Sequence, residues 1–164
     1  MTLAGLNSCD RQSFVHAIGW VFEGSPWVAE RAWAHRPFNT LNQLHDAMAN
    51  EVAAAGSEER LALLRAHPDL GTKAPMSSAS ESEQAGAGLD ALTGAELAEL
   101  RKLNSAYVRK FGFPFLYAVK GSTKRDILKA LEARLPRTRE VELNEALRQV
   151  SRIAKLRLEE TIRP

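Results

Sequence analysis

The sequence predicts an all-α protein, a single-domain helical bundle of about seven or eight helices over residues 1–164. Three observations predict it. Apolar residues recur at spacings of three and four along most of the chain. Capping residues and helix-stopping Gly or Pro residues bracket these stretches. Only residues 115–119 have the composition of a strand, and five residues without a partner strand cannot form a sheet.

The first half of the chain predicts four helices. Apolar spacing places the first over residues 10–23, and Ser25 is the predicted N-cap of the second. A capping box opens the third, over residues 40–56. The fourth covers residues 57–66, because Pro68 disfavours helical backbone in the residue before it.

The second half predicts one short helix and three long ones. Ser80 is the expected N-cap of the short helix, and Glu83 would complete its capping box. Gly112 suits the end of the next helix, and the segment after it is expected to be extended or loosely helical. The long helices are predicted over residues 93–110, 123–135 and 138–162.

The composition excludes several classes of protein. The chain has 164 residues, of which 45% are hydrophobic and 26% charged, which is typical of one globular domain. A net charge of +2 is too balanced to indicate nucleic-acid binding. The single cysteine, Cys9, excludes an intramolecular disulfide. The first residues lack the features of a signal peptide, and no stretch has the length of a membrane span, so we expect a cytoplasmic protein.

Of the four histidines, His67 is the candidate for chemistry. It follows a helix, precedes the rigid Pro68 and begins an irregular loop, and a histidine there can exchange a proton near neutral pH. A histidine at a helix C-terminus can also simply be a favourable cation, and that alternative stays open. No two histidines have the spacing of a zinc site, so no metal is expected.

Two further segments depart from plain helical patterning. Residues 80–84 carry hydroxyls, carboxylates and an amide that could hold a hydrogen-bonding heterocycle, or they could simply start a helix. Residues 115–119 could form an apolar wall whose free main-chain groups bind a planar polar ligand, or they could plug the core. No phosphate loop, nucleophile elbow or dinucleotide fingerprint occurs, so we expect chemistry without a cofactor.

These segments resemble the 2-oxo-4-hydroxy-4-carboxy-5-ureidoimidazoline (OHCU) decarboxylase family of urate degradation. Each motif is weak alone, but their occurrence in this order is highly specific. The resemblance covers nearly the whole chain, and its motifs are Phe14–Glu30, His67–Gly71, Ser80–Leu89, Leu103–Phe115 and Leu156–Leu158.

The resemblance implies an all-helical homodimer that needs no metal and no organic cofactor. It implies that His67 is catalytic, with Glu83 and Arg157 beside it in the pocket. Arg157 rests on the resemblance alone, because spacing gives it no distinction among the arginines of the last helix. The segments implied to contact substrate are Pro68, then Ser80, Glu81, Ser82, Glu83 and Gln84, and then Phe115, Leu116, Tyr117, Ala118 and Val119, the last five largely through main-chain groups.

The implied reaction converts OHCU to (S)-allantoin with loss of carbon dioxide. The electrons of the broken bond enter a neighbouring C=N bond, so the substrate is its own electron sink. We expect His67 to take or orient the hydroxyl proton, Glu83 to bind ring or ureido N–H groups, and Arg157 to pair with a carboxylate or carbonyl oxygen.

Three alternatives remain at the level of sequence. The chain could keep the pocket as a ligand-binding protein, although it retains His67, Glu83 and Arg157 together. It could be a hydrolase or isomerase acting on another ureido compound. The least favoured alternative is nucleic-acid binding by the Arg-rich last helix, since no groove-reading motif accompanies it.

Overall fold

The computed structural model describes residues 1–72 and 76–164, and nine α-helices lie within them. The predicted all-α class is confirmed: in the described part of the chain, the only β-type pairing is one isolated bridge between Thr2 and Arg163. Two 3-10 turns, Gly19–Val21 and Trp33–His35, follow the second and third helices. In chain order the helices are α1 Leu3–Ser8, α2 Arg11–Ile18, α3 Trp27–Ala32, α4 Leu41–Ala54, α5 Ser57–Arg65, α6 Ser78–Gly86, α7 Gly94–Phe111, α8 Lys124–Arg134 and α9 Arg139–Thr161.

The chain forms two compact units, and helix α9 contributes residues to both. Unit one comprises Met1–Ala66 and Val150–Pro164, and unit two comprises His67–Gln149. The expectation of a single domain over residues 1–164 stays a prediction.

Unit one has an apolar core to which each of its helices contributes. Hydroxyl and carboxylate caps begin three of these helices: the side chains of Thr2, Asp10 and Thr40 accept N–H groups of α1, α2 and α4. Such caps satisfy N–H groups that have no partner inside the helix. The buried apolar residues include Leu6, Phe14, Ile18, Val28, Leu44, Met48, Leu63, Ala154 and Leu158.

Unit two is built around α7. A complete capping box of Thr93 and Glu96 begins this helix, and Gly112 ends it at φ +81°, a left-handed conformation that glycine adopts readily. A second capping box, Thr123 with Asp126, begins α8. An aromatic cluster joins the end of α7 to the segment after it, with contacting ring centroids 4.5–6.1 Å apart, and its members are Tyr107, Phe111, Phe113 and Phe115.

Two predicted caps are wrong by a few residues. The N-cap of α3 is Pro26, and the Ser25 hydroxyl lies 3.3 Å from the carbonyl of Glu23 instead of capping the helix. Helix α6 begins earlier than predicted, because Ser77 has extended backbone and its hydroxyl accepts the N–H of Ser80. Ser80 therefore lies within the helix, and the predicted capping box with Glu83 does not exist.

Among the described residues, no helix combines the length and the apolar character that crossing a bilayer requires.

Candidate active site

His67 lies in unit two, at the start of the loop that follows α5. The helix ends at Arg65, as the proline at position 68 requires. The His67 side chain is buried, with 6% of its surface exposed, whereas Pro68 is half-buried. The other histidines differ from it: His16 is exposed, His35 pairs with Glu51 on the surface, and His45 bonds to Ser151.

The loop of residues 67–71 is held by side-chain amides from two helices. Gln84 of α6 accepts the N–H of Gly71 at 2.9 Å and lies 3.4 Å from the carbonyl of Asp69. Asn104 of α7 donates to the carbonyl of Leu70 at 3.1 Å. Desolvation raises the pKa of the Asp69 carboxyl above its ordinary value. Three consecutive residues of the loop are therefore fixed by hydrogen bonds from outside it.

Gly71 gives the loop a shape that other residues would resist. Its φ is +71°, and a Cβ built at this position would lie 2.5 Å from Cδ2 of Leu100, a buried residue of α7. The loop thus approaches α7 more closely than a side chain at position 71 would allow.

Helix α6 carries the predicted polar segment, and its residues differ in exposure. Ser80 and Gln84, one turn apart, are buried, Glu83 is half-buried, and Glu81 and Ser82 are exposed. The amide of Gln84 is already engaged with the loop. Burial therefore singles out the face of α6 that carries Ser80 and Gln84, with Glu83 at its edge.

The segment of residues 115–119 is neither helix nor strand and is largely buried, with Tyr117 as its half-buried member. Three of its main-chain groups already have hydrogen-bond partners. The carbonyl of Leu116 accepts from Arg134 at 2.7 Å, the N–H of Ala118 donates to Gln149 at 2.9 Å, and the carbonyl of Val119 accepts from Ser122 at 3.0 Å. Buried main-chain groups need partners, and side chains of α8 and α9 supply two of them.

A buried polar network, which was not predicted, contacts this segment through Arg134. Glu142 accepts from the Tyr107 hydroxyl at 2.6 Å and from Nε of Arg134 at 2.7 Å. Burial and the bond to Glu142 raise the pKa of the Tyr107 phenol above its ordinary value. Helical spacing in the sequence could have predicted that Glu142 is buried. It continues the four-residue repeat of buried apolar positions on α9, which are Ala146, Val150, Ala154 and Leu158.

Arg157 lies in unit one, where 2% of its surface is exposed. Its Nη2 donates to the Glu23 carboxylate at 3.0 Å, and Nη1 lies 3.4 Å from the carbonyls of Trp20 and Val21. Its guanidinium also lies 5.9 Å from the centre of the Trp20 ring. Sequence reasoning did not predict Glu23 as its partner. His67 and Glu83 belong to unit two, and all three remain predicted catalytic residues.

In the described ranges 1–72 and 76–164, no three His, Cys, Asp or Glu side chains are grouped so that they could hold a metal ion.

Comparison with known proteins gives full-length matches. A family model described as OHCU decarboxylase matches residues 7–159. The chain is 46% identical to a 2-oxo-4-hydroxy-4-carboxy-5-ureidoimidazoline decarboxylase of Halalkalicoccus jeotgali, covering 100% of this chain and 93% of that protein. It is 47% identical to the uric acid degradation bifunctional protein PucL of Bacillus subtilis, over 98% of this chain but 33% of that protein.

Two crystal structures share the fold. One, of (S)-allantoin synthase, has a TM-score of 0.81 and 34% identity, and the match covers 99% of this chain and 54% of that chain. The other, of OHCU decarboxylase in the presence of (S)-allantoin, has a TM-score of 0.71 and 26% identity, covering 85% of this chain and 93% of that chain.

Proposed function

The chain belongs to the OHCU decarboxylase family, and on that premise we propose that it is a carboxy-lyase converting OHCU to (S)-allantoin in urate degradation. The observation that carries the proposal is similarity along the whole chain to proteins named for this activity. The buried position of His67, in a loop held by two amide side chains, supports a role for that residue in the chemistry.

The reaction releases carbon dioxide, takes up one proton from solvent and moves a second proton from oxygen to carbon. As the bond between the carboxylate and the hydroxyl-bearing ring carbon breaks, its electron pair forms a C=C bond to the neighbouring carbon. The C=N electron pair moves onto the ring nitrogen, which takes up the solvent proton. The hydroxyl then loses its proton to become a carbonyl, while the neighbouring carbon gains a proton on one face. We assign the removal of the hydroxyl proton to His67, a role that histidine serves well near neutral pH.

The remaining predicted site residues would bind and orient the substrate. Glu83 would accept ring or ureido N–H groups, and Arg157 would pair with a carboxylate or carbonyl oxygen. The remaining proposed contacts are Pro68, Ser80, Glu81, Ser82, Gln84, Phe115, Leu116, Tyr117, Ala118 and Val119.

The test is to generate OHCU from urate in situ and follow the optical activity of the allantoin formed. Wild-type protein should accumulate the S form, and His67→Asn should lower the rate by about 100- to 10,000-fold. The matched control, His16→Asn, changes an exposed histidine and should act as wild type. Racemic product at the uncatalysed rate with wild-type protein would reject the function. A folded His67→Asn protein with wild-type activity would reject the role of His67.

Arg157 needs its own test because its burial also serves the fold. Arg157→Lys keeps a cation near Glu23 but loses the planar guanidinium with its paired N–H donors. We therefore expect this variant to fold and to lose activity. Arg152→Lys, at an exposed position of the same helix, is the matched control. Wild-type kcat and KM in Arg157→Lys would contradict a substrate-binding role.

Four further properties belong to this proposal and have separate tests. Light scattering should give the mass of a homodimer. Dialysis against a chelator should leave the activity unchanged, because no metal or organic cofactor is proposed. A DNA column at low salt should not retain the protein. Cell fractionation should place it in the cytoplasm.

A further inference from the structure

Asn104 is an amide at a position that helical spacing assigns to the core. The buried face of α7 consists of residues 100, 103, 104, 107 and 111, and 6% of the Asn104 surface is exposed. Its Nδ2 donates to the Leu70 carbonyl at 3.1 Å. Its Oδ1 is buried and has no hydrogen-bond partner among the described residues. A leucine here would remove the unsatisfied Oδ1, but it would also leave the Leu70 carbonyl without this donor.

We propose that Asn104 is a positioning residue for His67, acting by fixing the carbonyl of Leu70 and hence the loop that presents the imidazole. The inference rests on the proposed function, because it takes His67 as the catalytic residue. Nothing in the sequence motif assigns Asn104 this task, and it is not among the proposed substrate contacts. Gln84, which holds the loop from α6, is among the proposed substrate contacts. Asn104 would therefore still hold the loop when Gln84 binds a substrate.

The same helix also holds the second proposed substrate segment. Tyr107, one turn after Asn104, bonds to Glu142, which binds Arg134, whose Nη1 donates to the carbonyl of Leu116. Helix α7 thus ties both the His67 loop and the segment of residues 115–119 to one rigid element. Asn104 and Tyr107 are three residues apart on α7 and therefore lie on the same face of the helix. Their spacing sets the distance between the loop of residues 67–71 and the segment of residues 115–119.

The decisive variant is Asn104→Leu, which keeps the branching and the number of side-chain heavy atoms and removes the donor to Leu70. We expect a melting temperature close to that of wild type, because removal of the unsatisfied Oδ1 offsets loss of the bond to the Leu70 carbonyl. We expect kcat to fall by about 10- to 100-fold with little change in KM, because a misplaced reacting group slows the chemical step. Asn144→Leu is the matched control, since Asn144 is exposed on α9, and it should retain wild-type kcat.

A second readout follows the imidazole itself. In ¹H–¹⁵N spectra the His67 ring signals, assigned by their loss in His67→Asn, should shift in Asn104→Leu and stay in place in Asn144→Leu. Wild-type kcat with unshifted His67 signals would overturn the proposal. Lower thermal stability with a proportionate loss of active protein and unshifted signals would also overturn it, as a purely structural role.

Two safeguards keep the test decisive. If Asn104→Leu does not fold, Asn104→Ala removes the same N–H donor, and the same outcomes for kcat and for the His67 signals apply while the cavity lowers the melting temperature. If wild-type protein fails to decarboxylate OHCU, the proposed function fails. The ring signals of His67 still decide in that case whether Asn104 holds the loop.

Discussion

Arg134 and Glu142 form an ion pair inside unit two, with Nε and Oε1 2.7 Å apart and side chains 5% and 0% exposed. Neither charge has access to bulk water to compensate for loss of the other. Arg137 approaches the second carboxylate oxygen at 3.6 Å from a more exposed position. The pair therefore makes the fold of unit two sensitive to changes in either partner.

We expect Glu142→Leu to lower the free energy of unfolding by about 3–5 kcal/mol, because it leaves Arg134 as an uncompensated buried charge. The double variant Arg134→Met with Glu142→Leu should lose less than the two single variants combined. Urea denaturation measures all three. Glu59→Leu, which breaks an exposed pair with Arg31, is the control and should cost about 1 kcal/mol or less. If the double variant lost as much free energy of unfolding as the two single variants combined, the pairing would be contradicted.

Gly71→Ala should destabilise the protein, because it combines a left-handed backbone with a close contact. The conformation alone costs about 1–2 kcal/mol in a residue with a Cβ, and Leu100 must also move. Gly88→Ala separates the two effects, since Gly88 has φ +80° and open space around its Cβ direction. Gly86→Ala, inside α6 with open space, should stabilise by about 0.5–1 kcal/mol. Melting curves that rank Gly71→Ala level with Gly88→Ala would disprove the close approach.

Glu96 should contribute to stability above its ordinary titration range and lose that contribution in acid. Lys124 and the N–H of Thr93 lower the pKa of this carboxyl from 4.5 to about 2. A lowered folded-state pKa means that the unfolded chain binds more protons, so stability falls as pH drops from 4.5 towards 2. Urea midpoints across this range should fall less steeply in Glu96→Gln. Glu132→Gln, at an exposed position of α8, should show the wild-type dependence of the urea midpoint on pH. Equal dependence in wild type, Glu96→Gln and Glu132→Gln would refute the lowered pKa of Glu96.

Much of the local structure could be predicted because its causes lie within a few residues. Thr93 and Glu96 cap α7 at the predicted place, and Gly112 ends it. The cap of α6 was predicted three residues late, because Ser77 and Ser80 are both competent caps and sequence spacing does not rank them. The described residues contain nine helices where about seven or eight were expected, since α1 has six residues and is too short to show a clear period.

The hydrogen-bond partners of the buried polar residues lie far away along the chain, so no local sequence pattern predicts them. His67 could be selected from its loop and the proline after it, but its supports, Gln84 and Asn104, lie 13 and 34 residues away from the loop atoms they bind. Spacing along α9 places Glu142 among buried positions, yet it does not say which charge compensates it, and it gives Arg157 no distinction among the arginines of that helix.

By itself, the sequence determined that this protein is all-helical, where most helices begin and end, and that His67 stands at a helix end in a motif shared with OHCU decarboxylases. Periodicity, caps and prolines act over a few residues and therefore survive in the linear chain. Only the tertiary structure decided that Arg157 pairs with Glu23, 134 residues away, and that α7 holds the His67 loop through Asn104. A buried polar group must find its partner wherever packing places one, and that choice is made when the helices pack together.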